Sequence, residues 1–94
     1  MTNPEISGYG TKRWTNSDGQ LHREDGPTVE WSDGDKFWYQ NGKIHRIDGP
    51  AVELANGTGW YWINGQQLTK DKWESHPIRK DYIIKENLKS ILND

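Results

Sequence analysis

The sequence predicts a mainly β protein: a single-layer antiparallel meander of repeated hairpins, followed by a C-terminal α-helical segment. Three observations predict it. First, Leu21-His22-Arg23-Glu24-Asp25-Gly26-Pro27-Thr28-Val29-Glu30 returns as Ile44-His45-Arg46-Ile47-Asp48-Gly49-Pro50-Ala51-Val52-Glu53, an offset of 23 residues (45 − 22 = 23). The same offset carries Asp18-Gly19 onto Asn41-Gly42 and Asn64-Gly65, and Phe37-Trp38-Tyr39 onto Trp60-Tyr61-Trp62. Self-similarity at a fixed short period marks a repeat architecture. Second, Asp33-Gly34 and Asn56-Gly57 stand between β-rich runs, and these dipeptides accept the positive φ of a type I′ hairpin turn. Third, glycine stops after Leu68 and helix formers replace it.

The elements follow in chain order. Pro4 and Gly8 mark residues 1–8 as a loose, flexible arm. Two full copies of the repeat occupy 14–36 and 37–59, and a partial third runs from 60 to 68. Strands are expected at 11–15, 28–31, 36–40, 51–54 and 60–63, with short extended pieces at Leu21 and Ile44. Asp25-Gly26-Pro27 and Asp48-Gly49-Pro50 are turns that launch the next strand, since proline, lacking an N–H, suits a first strand position. Thr69 caps a short helical turn through Trp73. Pro77 suits the first turn of a second helix over 77–92, which places Ile84, Leu88, Ile91 and Leu92 on one amphipathic stripe. The chain is one domain, with the sheet over 9–68 and the helical segment 69–94 packed on it.

A two-residue turn at Asp33-Gly34 would set Val29 opposite Trp38 and Glu30 opposite Phe37, and alternation then sorts the side chains. One face carries Val29, Trp31, Trp38, Val52, Leu54, Tyr61 and Ile63, a core for the helix stripe to cover. The other carries Glu30, Phe37, Tyr39, Glu53, Trp60 and Trp62. Those four rings and two glutamates are either a stabilising ladder along the sheet or an exposed patch for a partner.

Composition narrows the function. With 94 residues the chain holds one small domain, too short for a Rossmann enzyme or a triosephosphate-isomerase barrel. Twelve Lys+Arg against fourteen Asp+Glu give a net charge of −2, without the basic stripe of a dedicated nucleic-acid binder. The absence of cysteine removes disulfides, thiolate zinc sites and cysteine nucleophiles. The first ten residues lack the basic start and apolar core of a secretory signal, and no stretch reaches membrane-spanning length. A cytoplasmic location is expected. Eleven aromatics, six of them Trp, promise a thin, ring-rich core despite an apolar fraction of 31%.

Chemistry-bearing residues repeat in phase. His22, Arg23, His45 and Arg46 read either as a phosphate- or carboxylate-binding set, because Arg presents a planar fork of donors, or as structural pairs with Asp25, Asp48 and the glutamates. His22 and His45 lack a third ligand of standard type for zinc, so no metal and no cofactor are expected. Glu30 and Glu53 would make a glycosidase pair only by coincidence, since they are equivalent positions of successive repeats. His-Arg-Glu-Asp at 22–25 matches a kinase catalytic loop by letter alone. No enzymatic activity is expected.

Asn41-Gly42-Lys43-Ile44-His45, followed by Asn56-Gly57 and an aromatic pair, resembles the membrane occupation and recognition nexus (MORN) repeat. In that family glycine usually follows the histidine, where this chain has Arg23 and Arg46. The fuller pattern His-Arg-x-Asp-Gly-Pro-Ala-Val-Glu, then Asp/Asn-Gly, then Trp-Tyr-x-Asn-Gly is similar to a MORN-like variant repeat of tailed bacteriophages and some bacteria. The resemblance covers about residues 14–68. It implies a single-layer sheet of successive hairpins and a phage-type protein acting in the host cytoplasm. The expected function is stoichiometric capture or inhibition of a host or immune-defence protein. Two alternatives are an oligomeric sponge for a nucleotide immune signal and a structural, virion or scaffold component. A homo-oligomer is compatible with each, and no membrane partner is expected because the chain lacks a basic face.

Overall fold

Two kinds of tight turn build the sheet. In the computed structural model, which describes residues 3–92 less the side chains of Ser90 and Leu92, Asn41 and Gly42 hold φ of 50° and 83°, and Asn64 and Gly65 hold 51° and 81°. Consecutive positive φ defines the type I′ turn. These turns close the hairpins β5 (Tyr39–Gln40) with β6 (Lys43–Ile44), and β8 (Gly59–Ile63) with β9 (Gln66–Leu68).

Asp33-Gly34 and Asn56-Gly57 behave differently from the type I′ expectation. Trp31 N donates to Asp35 O at 2.9 Å, and Gly34 N donates to Trp31 O at 3.0 Å. Gly34 alone takes positive φ, 101°. The loop is therefore three residues, 32–34, a turn closed by a left-handed glycine. The Asp33 carboxylate accepts from Asp35 N and holds it. Residues 55–57 repeat this geometry, with Leu54 N donating to Thr58 O and Asn56 Oδ1 accepting from Thr58 N.

The extra loop residue moves the register by one. Val29 faces Phe37 and Glu30 faces Lys36 between β3 (Val29–Glu30) and β4 (Lys36–Phe37). Phe37 also faces Val52, and Val52 faces Trp60, through β7 (Val52–Glu53) and β8. The expected faces are thereby corrected. Phe37 and Trp60 share a face with Val29 and Val52, and by alternation Trp31, Tyr39, Leu54 and Trp62 join them. Glu30 and Glu53 lie on the opposite face with Trp38 and Tyr61. A one-residue slip exchanges every side chain's partner in this way.

With β1 (Glu5–Ile6) and β2 (Lys12–Arg13), seven strands form one antiparallel sheet in the order β1-β2-β3-β4-β7-β8-β9, and β5-β6 make a separate hairpin. β1 was expected to be part of a loose arm. It pairs instead with β2 and forms the sheet edge, with Arg13 bonded to Glu5 at 3.0 Å. The Ser7 hydroxyl accepts from Tyr9 N and Thr11 N and fastens the intervening turn. Met1 and Thr2 of that arm lie outside the described residues. The core is small: Thr28, Val29, Ala51, Val52, Ile63 and Trp73 are its buried side chains.

The helices form where the sequence places them. α1 (Lys70–Glu74) is capped by Thr69, whose hydroxyl accepts from Lys72 N, and α2 spans Pro77–Leu92. Their packing departs from expectation. α1 lies on β8 and β9, on the face that carries Tyr61 and the glutamates. Ile84, Leu88 and Ile91 of α2 stay exposed rather than covering the sheet. The fourth stripe residue, Leu92, has its side chain outside the described residues.

Candidate functional site

The His-Arg-x-Asp-Gly-Pro motif folds as a clamp on its own arginine. The Arg46 guanidinium lies over the Trp38 ring, with Cζ 3.8 Å from the centroid. Its Nε donates to Asp48 at 2.8 Å, and its Nη1 donates to Pro50 O at 3.0 Å and to Glu53. A Cβ on Gly49 would sit 2.8 Å from Cζ and 3.0–3.1 Å from both terminal nitrogens. The guanidinium plane is thus covered by indole on one side and by glycine backbone on the other. Arg23 repeats the arrangement over Trp14 at 3.7 Å, bonded to Asp25, Pro27 O and Glu30. The Arg23 bond and charge hold the Asp25 carboxyl below the usual aspartate range.

The histidines join one repeat to the next. His22 Nδ1 accepts from Asn41 N at 3.1 Å, and His45 Nδ1 accepts from Asn64 N at 3.0 Å. Those are the N–H groups of the type I′ turns. An accepting Nδ1 places the imidazole proton on Nε2. Burial, followed by the electrostatic effect of nearby His76, lowers the His45 pKa from its ordinary value and favours this neutral form.

The third copy ends in a substitute for arginine. Trp73 of α1 packs against Tyr61 at 4.5 Å between centroids, on the ring equivalent to Trp38. Its Nε1 donates to Arg46 O at 3.0 Å, a carbonyl whose counterpart, Arg23 O, accepts from Gln40 Nε2 at 2.7 Å. Arg79 then lies over Trp73 at 3.8 Å and donates to Ile47 O at 2.8 Å. α1 therefore closes the array as a terminal cap.

The candidate binding residues thus divide. His22, Arg23, Glu30, His45, Arg46 and Glu53 come together in pairs, and intramolecular bonds occupy them. Phe37, Tyr39, Trp60 and Trp62 lie on the other face. Trp31 joins them, 48% exposed and 6.4 Å edge-on to Phe37, while Trp60 is 43% exposed. Trp62 Nε1 is buried without a hydrogen-bond partner. A groove of about 360 Å³ opens on this face between Tyr9, Arg13, Val29, Trp31, Phe37 and Tyr39.

No protein-family model matches the chain, and no curated protein or solved structure is similar to it. The clamp face holds a cleft of about 1000 Å³, bordered by Trp38, Lys43, His45, Arg46, Ile78 and Tyr82. Among the described residues, no three His, Asp or Glu side chains gather as a metal site, and no helix is long and apolar enough to cross a membrane.

Sequence reasoning missed several participants, among them Tyr9, Arg13 and Trp14. Tyr9 and Arg13 escaped because one lies in the turn after β1 and the other on the two-residue strand β2, and neither segment has apolar alternation. Trp14 escaped as the ring under Arg23 because the 16–20 loop is one residue longer than 40–43. That addition sets Trp14 24 residues before Trp38, outside the 23-residue phase. The signal was the Trp-to-Arg spacing, nine residues in the first copy and eight in the second.

Proposed function

We propose that this chain is a small non-enzymatic binding protein that captures a partner protein stoichiometrically through its aromatic face. One observation carries the reading: Trp31 and Trp60, 48% and 43% exposed, stand at the surface of the face they share with Phe37, Tyr39 and Trp62. Large rings with low rotamer cost are the side chains that dominate binding energy at protein interfaces. The groove beside Trp31 gives a partner side chain a concave seat, and Arg13 and Glu5 give it a polar rim. The likeness of residues 14–68 to MORN-like variant repeats of tailed phages supports a host or immune-defence protein as the target, met in the host cytoplasm.

Pull-down from bacterial lysate with the purified chain as bait tests the proposal. The expected result is a discrete protein retained by the parent and lost with Trp31→Ala/Trp60→Ala. Retention unaffected by that pair of substitutions refutes the aromatic face as the site.

A second reading, a sponge for a nucleotide signal, draws on the cleft over Trp38, whose volume lies within the usual range for small ligands. Arg23 and Arg46 are already bonded there, which leaves Lys43 as the cation lining the cleft without an ion pair among the described residues. Thermal stabilisation by a nucleotide panel that disappears in Lys43→Ala would favour it. A scaffold role would instead use the open edge of β1.

A further inference from the structure

The chain leaves two sets of apolar side chains exposed. One lies on the aromatic face, at Tyr9, Trp31 and Trp60. The other is the α2 stripe, where Ile84, Leu88 and Ile91 are 56%, 50% and 69% exposed. An amphipathic helix normally turns such a stripe toward a core. Here α2 turns it outward, because another side of the helix is already held. Arg79 lies over Trp73 and donates to Ile47 O, and Tyr82 lines the clamp-face cleft beside Ile78. The root of α2 is therefore fastened to the clamp face, opposite the rings. The helix cannot reach the aromatic face of its own sheet without breaking those bonds.

We infer that two copies of this chain associate reciprocally, the α2 stripe of each covering the aromatic face of the other. Dimensions agree. Sixteen helical residues span about 24 Å, and the strands from β1 to β8 span about the same at roughly 4.8 Å per step. Area agrees as well. Trp31, Trp60 and the 89%-exposed Tyr9 face Ile84, Leu88 and Ile91 in each contact. Their exposed surface is on the order of 600 Å², doubled to about 1,200 Å² by the two-fold axis, the lower bound of a standard interface.

Charge selects this arrangement over pairing of the two helices with each other. α2 carries four Lys/Arg and two Asp/Glu, a net +2. The other 78 residues carry eight against twelve, a net −4. Helix against helix would oppose two basic elements, with Lys80 and Lys85 flanking both stripes. Helix against sheet avoids that opposition, because the Glu5 and Arg13 charges beside the rings pair with each other. This inference stands without the capture reading. Because both use one face, a captured protein and the second copy compete for it.

Sedimentation velocity over a concentration series tests the inference, with far-UV circular dichroism to verify folding. The parent is expected to rise from 10.9 kDa toward twice that mass. Leu88→Glu, on an exposed helix position, and Trp31→Ser/Trp60→Ser, on the sheet, are each expected to remain monomeric. Tyr9→Ser, an exposed change that spares the core, is expected to weaken the dimer at least tenfold. A parent that stays monomeric at every concentration overturns the inference. So does a dimer that survives the sheet substitutions or Leu88→Glu. Leu88→Glu also separates the two readings: it abolishes self-association but leaves lysate capture unchanged. Capture lost only with the Trp substitutions supports the shared face. Capture unaffected by them refutes the capture reading and leaves the dimer to stand on its mass.

Discussion

Arg46→Ala should be among the most damaging single changes in the molecule, although arginine is ordinarily a surface residue. Its side chain is 19% exposed. The substitution removes a partly buried cation–π contact with Trp38, worth about 1 kcal/mol. It also removes charge-assisted bonds to Asp48 and Glu53 and a bond to the Pro50 carbonyl. Each charge-assisted bond contributes about 1.5–3 kcal/mol measured alone, but members of one network do not add. A loss of about 3 kcal/mol follows, a large part of the roughly 5–14 kcal/mol available to a chain of this length. Arg46→Lys should recover less than half, because an ammonium cannot lie flat between indole and glycine while bonding to both sides. Urea denaturation followed by Trp fluorescence measures these values. Arg13→Ala is the control, since the exposed Arg13–Glu5 pair should be worth no more than about 1 kcal/mol. If Arg46→Ala costs no more than Arg13→Ala, the clamp contributes nothing beyond an ordinary surface ion pair and the account of the motif fails.

Two other outcomes follow from the same geometry. Gly49→Ala places a Cβ 2.8 Å from Arg46 Cζ and should cost about 1–3 kcal/mol by displacing the guanidinium; Gly8→Ala, with no atom near its Cβ, should be close to neutral in the same denaturation assay. Because the folded-state pKa of His45 lies below its ordinary 6.5, the unfolded chain binds more protons between the two values. Stability is therefore full above about pH 6.5 and falls as pH drops through the folded value. His45→Gln should flatten that part of the pH profile of the urea midpoint, and a profile that coincides with the parent's would remove His45 as its source.

How far the sequence could be read depended on what each element leaves in the one-letter pattern. The repeat, the strands around Val29, Phe37, Val52 and Trp60, and the capped helices all follow from local residue choice, and they are legible. The sheet faces are not, because they hang on one loop residue. Asp33-Gly34 suits both a two-residue type I′ turn and a three-residue loop closed by glycine. In the structure Asp33 uses its carboxylate to hold Asp35 N, which selects the longer loop. The clamp was half legible. Pairing of Arg23 and Arg46 with Asp25, Asp48 and the glutamates can be read from recurring charge, whereas the indole beneath each guanidinium depends on a hairpin bringing distant residues together. β1 was illegible because two residues, Glu5 and Ile6, carry no periodicity, and backbone pairing alone makes them a strand.

Replacement of the third arginine by Trp73 bears on how such a chain changes length. Each clamp needs only the copy beside it, and the terminator recognises only the copy it closes. A further 23-residue unit inserted at the boundary after Gly59 would meet native neighbours on both sides. It would widen the sheet by two strands, about 10 Å, and add another pair of rings to the aromatic face. Aromatic face and scaffold are thus the same increment of sequence, so both can lengthen together by duplication in the middle of the chain while both ends stay as they are.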